Sequence, residues 1–419
     1  MLVMKFGGAS LKNAPAIERM SKIIQNWRKE PLLVVVSAMG KTTNALDQIG
    51  NAALKNQADQ LEILTQQLVA YHRQIIKELG LSHNQNLNRQ AEEYFDVVRV
   101  IAAGISALGE YSPRQYARLV AVGELLSSKI IAAYLAQKGN AILWVDIRQY
   151  LKTDHNYKAA QVLFDETANL LSDSPLIPKD KVIITQGFIG STTDNQTTTL
   201  GREGSDYTAA ILGSLLSARE VIFWKDVPGI MNADPNYDSQ ALLIPELNYE
   251  QAASMTFWGA KVIHHSAIAP LAQKNIRLQV RSFLTPETPG TVIQQGVGAK
   301  EPARLLKPNL ILLFFRRKNL KHMDTPSIHS LFGVMANHNL PTYGVSMAEL
   351  GMYIITEGAD WQLNALQSLL QEEYYCQIQR GLTLHTWLNT SDQDEQTQVP
   401  RQALITLKQK TTLSWLAPE

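Results

Sequence analysis

At 419 residues the chain exceeds what one small core organises, and two or three domains are expected. Hydrophobic residues make up 45% and charged residues 18%, the balance of a folded chain, which excludes wholesale disorder. A formal net charge of +1 gives no drive toward nucleic acid or an anionic membrane, and Cys376, the single cysteine, excludes an intramolecular disulfide and a cysteine-based zinc site.

The N-terminus enters Val3-Met4-Lys5-Phe6 without a signal-peptide layout, and no apolar run reads as long enough to span a bilayer. A cytoplasmic location is therefore expected. Short β-rich runs recur at Leu2–Phe6, Leu32–Ser37, Ala141–Asp146, Val182–Ile189, Val221–Trp224 and Arg277–Phe283, separated by helical patterns. This alternation predicts an α/β fold whose mostly parallel sheet is covered on both faces. Between the second and third runs, Leu61, Leu64, Leu68, Tyr71 and Ile75 recur at three- and four-residue steps, as do Ala91, Phe95, Val98, Ala102 and Ile105. Each set predicts a helix with one core-facing stripe. Ser112-Pro113 reads as the N-cap and first-turn proline of a further helix, and Gly139 suits its end. Prolines and glycines crowd residues 286–302, predicting a domain boundary. Beyond it Leu310–Phe315, Met352–Thr356 and Gly381–Leu388 read as strands, and Ser327–His338 and Trp361–Glu372 as helices. That order suits a βαββαβ, ferredoxin-like plan. Strand-rich Ala403–Leu407 and Thr412–Leu416 finish the chain, too little for a second complete unit.

The chemistry-bearing residues gather at strand ends, where ligands bind in open α/β sheets. Lys5-Phe6-Gly7-Gly8 ends the first strand, and its spacing is not that of a Walker A loop; no GxGxxG follows any strand. Ser37-Ala38-Met39-Gly40 ends the second, with Thr43 just beyond. The run from Thr197 to Thr208, TTTLGREGSDYT, leads from an apolar stretch into a helical pattern. Such a turn is either an ordinary glycine-rich cap or an anion site built from backbone N–H groups, with Arg202 as a planar fork and Asp206 as a fixed negative charge. Gly123-Glu124 interrupts a long helical stretch; the Glu124 carboxylate either binds an ammonium or is a solvated helix charge. Lys225-Asp226 follow the fifth strand, and Lys261 near a helix start suggests an anionic ligand, since a cation there opposes the macrodipole. His264 and His265 do not share a helix face and read as structural or solvent-facing rather than as a metal pair.

Taken in order, KFGG at 5–8, VSAMG at 36–40, GE at 123–124, GFIG at 187–190, TTTLGREGSDYTAA at 197–210, WKDVPGI at 224–230 with Ala233-Asp234-Pro235, and GAKVIH at 259–264 resemble the aspartate kinases. The resemblance covers roughly the first 290 residues. It implies the amino-acid kinase fold, a three-layer αβα sandwich, as a catalytic domain over residues 1–295. It also implies transfer of the ATP γ-phosphoryl group to the side-chain carboxylate of L-aspartate, giving 4-phospho-L-aspartate. Residues 303–419 are then an ACT-like regulatory domain, with Leu305–Leu388 as one module and the second truncated. The length leaves no homoserine dehydrogenase domain to be expected.

Carried onto this sequence, the motifs imply that Lys5 stabilises the γ-phosphoryl group and that Asp206 orients Lys5. Gly7, Gly8 and Ser10 bring N–H groups to the phosphates, and Lys261 holds them from the other side. Lys225 and Asp226 lie at the nucleoside, with Asp234 nearby. Arg202 grips the aspartate α-carboxylate and Glu124 its α-ammonium, with Ser37, Thr43, Phe188 and Ser205 around the acceptor. Mg2+ is expected on ATP oxygens, with no all-protein metal cage. A homodimer or higher homo-oligomer, and lysine or threonine as effector beside Ser327–His338 and Tyr343–Glu349, are further implications. The chain departs from the commoner pattern at Ala9 (often Thr), Lys225 (often Thr), Asn236 (often Arg) and His265 (often Pro). Two other readings stand beside this one: another amino-acid kinase, acting on glutamate, acetylglutamate or a nucleotide, and a non-catalytic amino-acid sensor.

Overall fold

The computed structural model describes residues 1–419 apart from 28–29, 173, 178–179, 261, 297, 390–398, 401, 410–411 and 419. The chain divides into two units. The first comprises Met1–Ile230, Leu243–Thr256 and Lys261–Ala299; the second comprises Met231–Leu242, Phe257–Ala260 and Lys300–Glu419. The expected boundary within 286–302 thus falls between residues 299 and 300, and two short segments from earlier in the chain join the second unit.

The first unit runs β1 (Leu2–Phe6), α1 (Ala14–Asn26), β2 (Leu32–Val36), α2 (Thr42–Leu54), α3 (Ala58–Glu78), α4 (Gln85–Leu108), α5 (Pro113–Gln137) and β3 (Ile142–Trp144). It continues with β4 (Lys152–Thr153), α6 (Phe164–Ser172), β5 (Val182–Gln186), β6 (Ile189–Thr192), β7 (Thr197–Thr199), α7 (Gly204–Leu215) and β8 (Glu220–Lys225). The last elements are β9 (Glu246–Leu247), α8 (Tyr249–Trp258, its final two residues in the second unit), α9 (His265–Gln273), β10 (Arg277–Ser282) and β11 (Thr291–Ile293). Eight strands form one sheet in the order β3-β5-β2-β1-β8-β10-β11-β9. Every neighbouring pair is parallel except β10 and β11. β1 has β2 on one side and β8 on the other, so the strand order reverses there and leaves a crevice beyond its carboxyl end.

All five residues of β1 are buried, and alternation sends them to opposite faces. Leu2, Met4 and Phe6 join the core shared with α1, α3, α4 and α5. Val3 and Lys5 point the other way, where α7 packs on β1. The two predicted stripes lie on α3 and α4, and all five named residues of the second are buried. The expected strand Val182–Ile189 is two strands, because Phe188 adopts φ 69° and turns the chain; β6 then joins a small sheet ordered β4-β6-β7. The helix carrying Gly123-Glu124 is not interrupted there: α5 passes through both residues. Gly123 is a contact point, since a Cβ on it would sit 2.9 Å from Thr42 Cγ2 and 3.2 Å from Ala38 Cβ.

α5 is long and apolar enough to cross a membrane by length and composition, which the sequence reading missed. Most of its apolar window is buried inside the protein, so its character is that of a core helix.

The second unit contains β12 (Ala303–Arg317), α10 (Thr325–Asn337), β13 (Gly344–Met347), β14 (Gly351–Thr356), α11 (Asp360–Leu370), β15 (Tyr374–Leu388), β16 (Ile405–Gln409) and β17 (Thr412–Pro418). Its antiparallel sheet has the order β13-β14-β12-β15-β17-β16. The first four strands with α10 and α11 form a ferredoxin-like unit, consistent with an ACT-like domain. Leu331, Met335, Leu363 and Leu366 from the two helices bury against Leu313, Phe315 and Ile354 of the sheet. β16 and β17 extend that same sheet as a hairpin rather than opening a second module.

At the start of α5, the Ser112 hydroxyl accepts from the Gln115 N–H at 3.3 Å, and Gln115 Oε1 accepts from the Ser112 N–H at 2.7 Å. Ser112→Ala should lower stability by about 1 kcal/mol in urea denaturation. An unchanged midpoint would mean that packing alone fixes this helix start.

Candidate active site

Parallel register brings two lysines onto one face. Lys5 of β1 stands opposite Phe223 of β8, and Lys225 is two residues further along β8. Above them α7 begins, with Asp206 in its first turn, where a carboxylate suits the helix dipole. Asp206 is wholly buried; Lys5 Nζ lies 2.6 Å from its Oδ1, and Lys225 Nζ donates to its Oδ2 at 2.6 Å. Lys225 also lies 3.5 Å from Glu203, the N-cap of α7, which adopts φ 52°. Burial alone would raise the Asp206 carboxyl, but the Lys5 and Lys225 charges hold it below the usual carboxylate range. Burial pushes the Lys5 ammonium below the usual lysine range against the pull of Asp206, and the Lys225 charge adds to that push. Lys225 moves the opposite way: burial opposes its charge, but Asp206 and Glu203 outweigh it.

Beyond β1 the backbone turns tightly. A Cβ on Gly7 would lie 3.2 Å from Lys5 Nζ, so this turn runs close against the lysine head group. The Gly8 carbonyl accepts from the Gly40 N–H at 3.0 Å, and a Cβ on Gly8 would come 2.6 Å from the Gly40 oxygen. The loops after β1 and β2 therefore run in direct contact. Ser10 donates both its hydroxyl (2.7 Å) and its N–H (3.0 Å) to the Gly7 carbonyl, so its side chain closes the turn.

Glu124 is the second buried acid, 2% exposed. Burial pushes its carboxyl up to about 8, against the Ala38 N–H and the Lys5 charge, which both pull it down. Its Oε2 is buried without a hydrogen-bond partner among the described residues. A buried acceptor left in this condition suits an incoming donor, and above all a cation. Ser37 lies beside this region, its N–H donating to Phe6 and its carbonyl accepting from Ser127 Oγ at 2.7 Å. Thr43 is half-buried in the first turn of α2. The Phe188 N–H donates to Thr208 Oγ1 at 3.0 Å. Ser205 is buried directly against Gly187, where a Cβ would come 2.5 Å from that of Ser205.

The structure thus gathers Lys5, Gly7, Gly8, Asp206 and Lys225 in one cluster, with Ser37, Phe188 and Ser205 at the adjoining strand and helix ends and Glu124 on the middle of α5. Lys225 is placed differently from expectation: its ammonium lies on Asp206, the carboxylate that Lys5 also uses. Arg202 is exposed and makes no ion pair with a described residue, and Asp226 is exposed just past β8. Asp234 belongs to the second unit, where its Oδ1 accepts the Asn236 N–H at 2.9 Å and caps its own turn. Lys261 lies outside the described residues. His264 caps α9, its Nδ1 accepting the Ser266 N–H at 3.4 Å, in keeping with a structural role. Sequence reasoning missed Glu203, Ser127 and Thr208. Their signal is tertiary, although Glu203 adjoins residues already singled out.

Residues 1–282 match the amino acid kinase family. The chain is 31% identical over 398 residues to the lysine-sensitive aspartokinase 3 of Escherichia coli, covering 92% of this chain and 86% of that one. It is 31% identical over 349 residues to the chloroplastic aspartokinase 1 of Arabidopsis thaliana; the match takes in 78% of this chain but spans only 57% of that relative's length. The crystal structure of E. coli aspartokinase III in complex with aspartate and ADP superposes with a TM-score of 0.89 at 26% identity, covering 100% of this chain and 96% of that one.

The state of Glu124 has a measurable sign. Its folded value of about 8 exceeds the ordinary 4.5, so the folded protein keeps a proton that the unfolded chain has lost. The stability this contributes is complete below pH about 4.5 and is lost as pH rises through about 8. Glu124→Gln should remove that component from thermal unfolding of the substrate-free protein across the window. Identical pH slopes for variant and parent would refute the assignment.

Proposed function

This chain is a member of the amino acid kinase family and of its aspartokinase branch, and on that premise we propose that it transfers the ATP γ-phosphoryl group to the side-chain carboxylate of L-aspartate. The observation that carries the reading is the pairing of two buried centres at the carboxyl end of β1: a lysine-bound Asp206, and beside it Glu124 with an unpartnered oxygen. The product is 4-phospho-L-aspartate, the first intermediate toward lysine, threonine, methionine and diaminopimelate.

An ionised carboxylate is already a nucleophile, so the task is positioning and charge neutralisation rather than proton removal. In this reading Glu124 receives the α-ammonium of aspartate, which supplies the donor its Oε2 lacks. Arg202, free to reorient at the surface, clamps the α-carboxylate with its fork. Ser37, Thr43, Phe188 and Ser205 form the wall around the acceptor. Lys5 turns its charge to the transferring group while Asp206 keeps it aimed, and the Gly7 and Gly8 backbone admits the phosphates at close range. Asp226 and Lys261 serve the nucleotide. Asp234, engaged in its own turn, is left out.

Mg2+ would ride on ATP oxygens and supply further charge neutralisation. Asp206, occupied by two ammoniums, suits holding lysines rather than a metal. A cytoplasmic homodimer or higher homo-oligomer, with lysine or threonine acting through the ferredoxin-like unit, completes the proposal. The lysine sensitivity in the name of the E. coli relative supports lysine.

A coupled ADP-release assay should show turnover with aspartate and not with glutamate, acetylglutamate or uridylate; no turnover with any acceptor would favour an amino-acid sensor. Lys5→Ala should lower kcat by about 100-fold or more, whereas Arg202→Ala should mainly raise KM for aspartate, by about tenfold. The reverse pattern would exchange the two roles. Millimolar lysine or threonine should alter activity or melting temperature, and no response to either would exclude both as effectors.

A further inference from the structure

Lys225 is the feature that the reading above leaves without a task. It reaches the carboxylate expected to serve Lys5. Its side chain is 14% exposed and is held from two sides, by Asp206 Oδ2 at 2.6 Å and by Glu203 Oε2 at 3.5 Å. Such an arrangement fixes the ammonium in place, and Asp206 becomes a carboxylate with one cation on each oxygen.

The chemistry needs those two cations for different purposes. When Lys5 moves its charge toward a phosphoryl oxygen, it weakens its hold on Asp206. A wholly buried carboxylate stripped of its only partner is strongly destabilising. It would also draw Lys5 back and so oppose the transfer. A second ammonium on the other oxygen removes this conflict, and a threonine hydroxyl carries no charge with which to do so.

We infer that Lys225 is a positioning residue for phosphoryl transfer: it keeps Asp206 paired and aimed while Lys5 is engaged with the transferring group. This rests on the proposed aspartate kinase reading and adds a division of labour between two lysines on one carboxylate. A consequence follows for Lys5 itself. The charged groups facing it are Asp206 and Glu203 from α7 and its cap, Lys225 from β8, and Glu124 from α5. Among the described residues Lys225 is the cation that acts on Lys5, so its loss leaves Lys5 easier to protonate.

The test is steady-state kinetics on the full chain with Lys225→Met and Lys225→Thr as neutral variants, Lys225→Arg as the charged one, and Lys5→Met alongside. Both neutral variants should lower kcat about tenfold, leave KM for aspartate within about twofold, and move the alkaline limb of the kcat/KM profile for ATP to higher pH. Lys225→Arg should restore most of kcat and return the limb to its original position. Full kcat with an unmoved limb in a folded neutral variant overturns the inference. Should the methionine variant unfold, the threonine variant decides by the same two readouts. If Lys5→Met also retains full kcat, the reading of the whole centre fails; if Lys5→Met is inactive while Lys225→Thr behaves as the parent, only the role of Lys225 fails.

Discussion

The buried Asp206 carboxylate is the constraint around which the first unit is arranged. An ion taken out of water is tolerated only when its partners are close and fixed. Here the partners come from two neighbouring parallel strands, β1 and β8, and the carboxylate comes from the helix that covers them. The backbone around these three elements is closely packed. Gly7 and Gly8 stand where any side chain would meet Lys5 or the neighbouring loop, and Gly187 stands where one would meet Ser205.

The second acid is held under the opposite rule. Asp206 has an ammonium within 2.6 Å of each oxygen, whereas Glu124 is buried with too little compensation. One centre draws its cations from the protein, and the other suits a cationic ligand. That contrast separates the two halves of the site by electrostatics, and both lie within reach of Lys5.

What the sequence made legible was set by how local the determining physics is. β1 and β2 were readable because strands buried on both faces are continuous apolar runs, as Leu32–Val36 is. The stripes on α3 and α4 and the Ser112 cap were readable because each depends on residues a turn apart. The break after Gln186 was not, since the left-handed Phe188 looks like any other residue of an apolar run. Nor was β13, four residues at a sheet edge in which exposed and half-buried positions alternate, without the apolar content expected of a strand. Among site residues, Lys5, Glu124 and Asp206 sit in recognisable motifs. The pairing of Lys225 with Asp206 depends on the register of β1 against β8 and on the placement of α7, neither of which is written in any window of the chain.

The division of the chain into two units carries one more implication. The polypeptide passes from one unit to the other five times, and the first passage, between Ile230 and Met231, comes only five residues after Lys225. The C-terminal unit is therefore not a bead on a tether, removable by a single cut. A truncation after Ala299 would strand Met231–Leu242 and Phe257–Ala260 without the fold they belong to, and a fragment so made would report on exposed ends rather than on an isolated kinase.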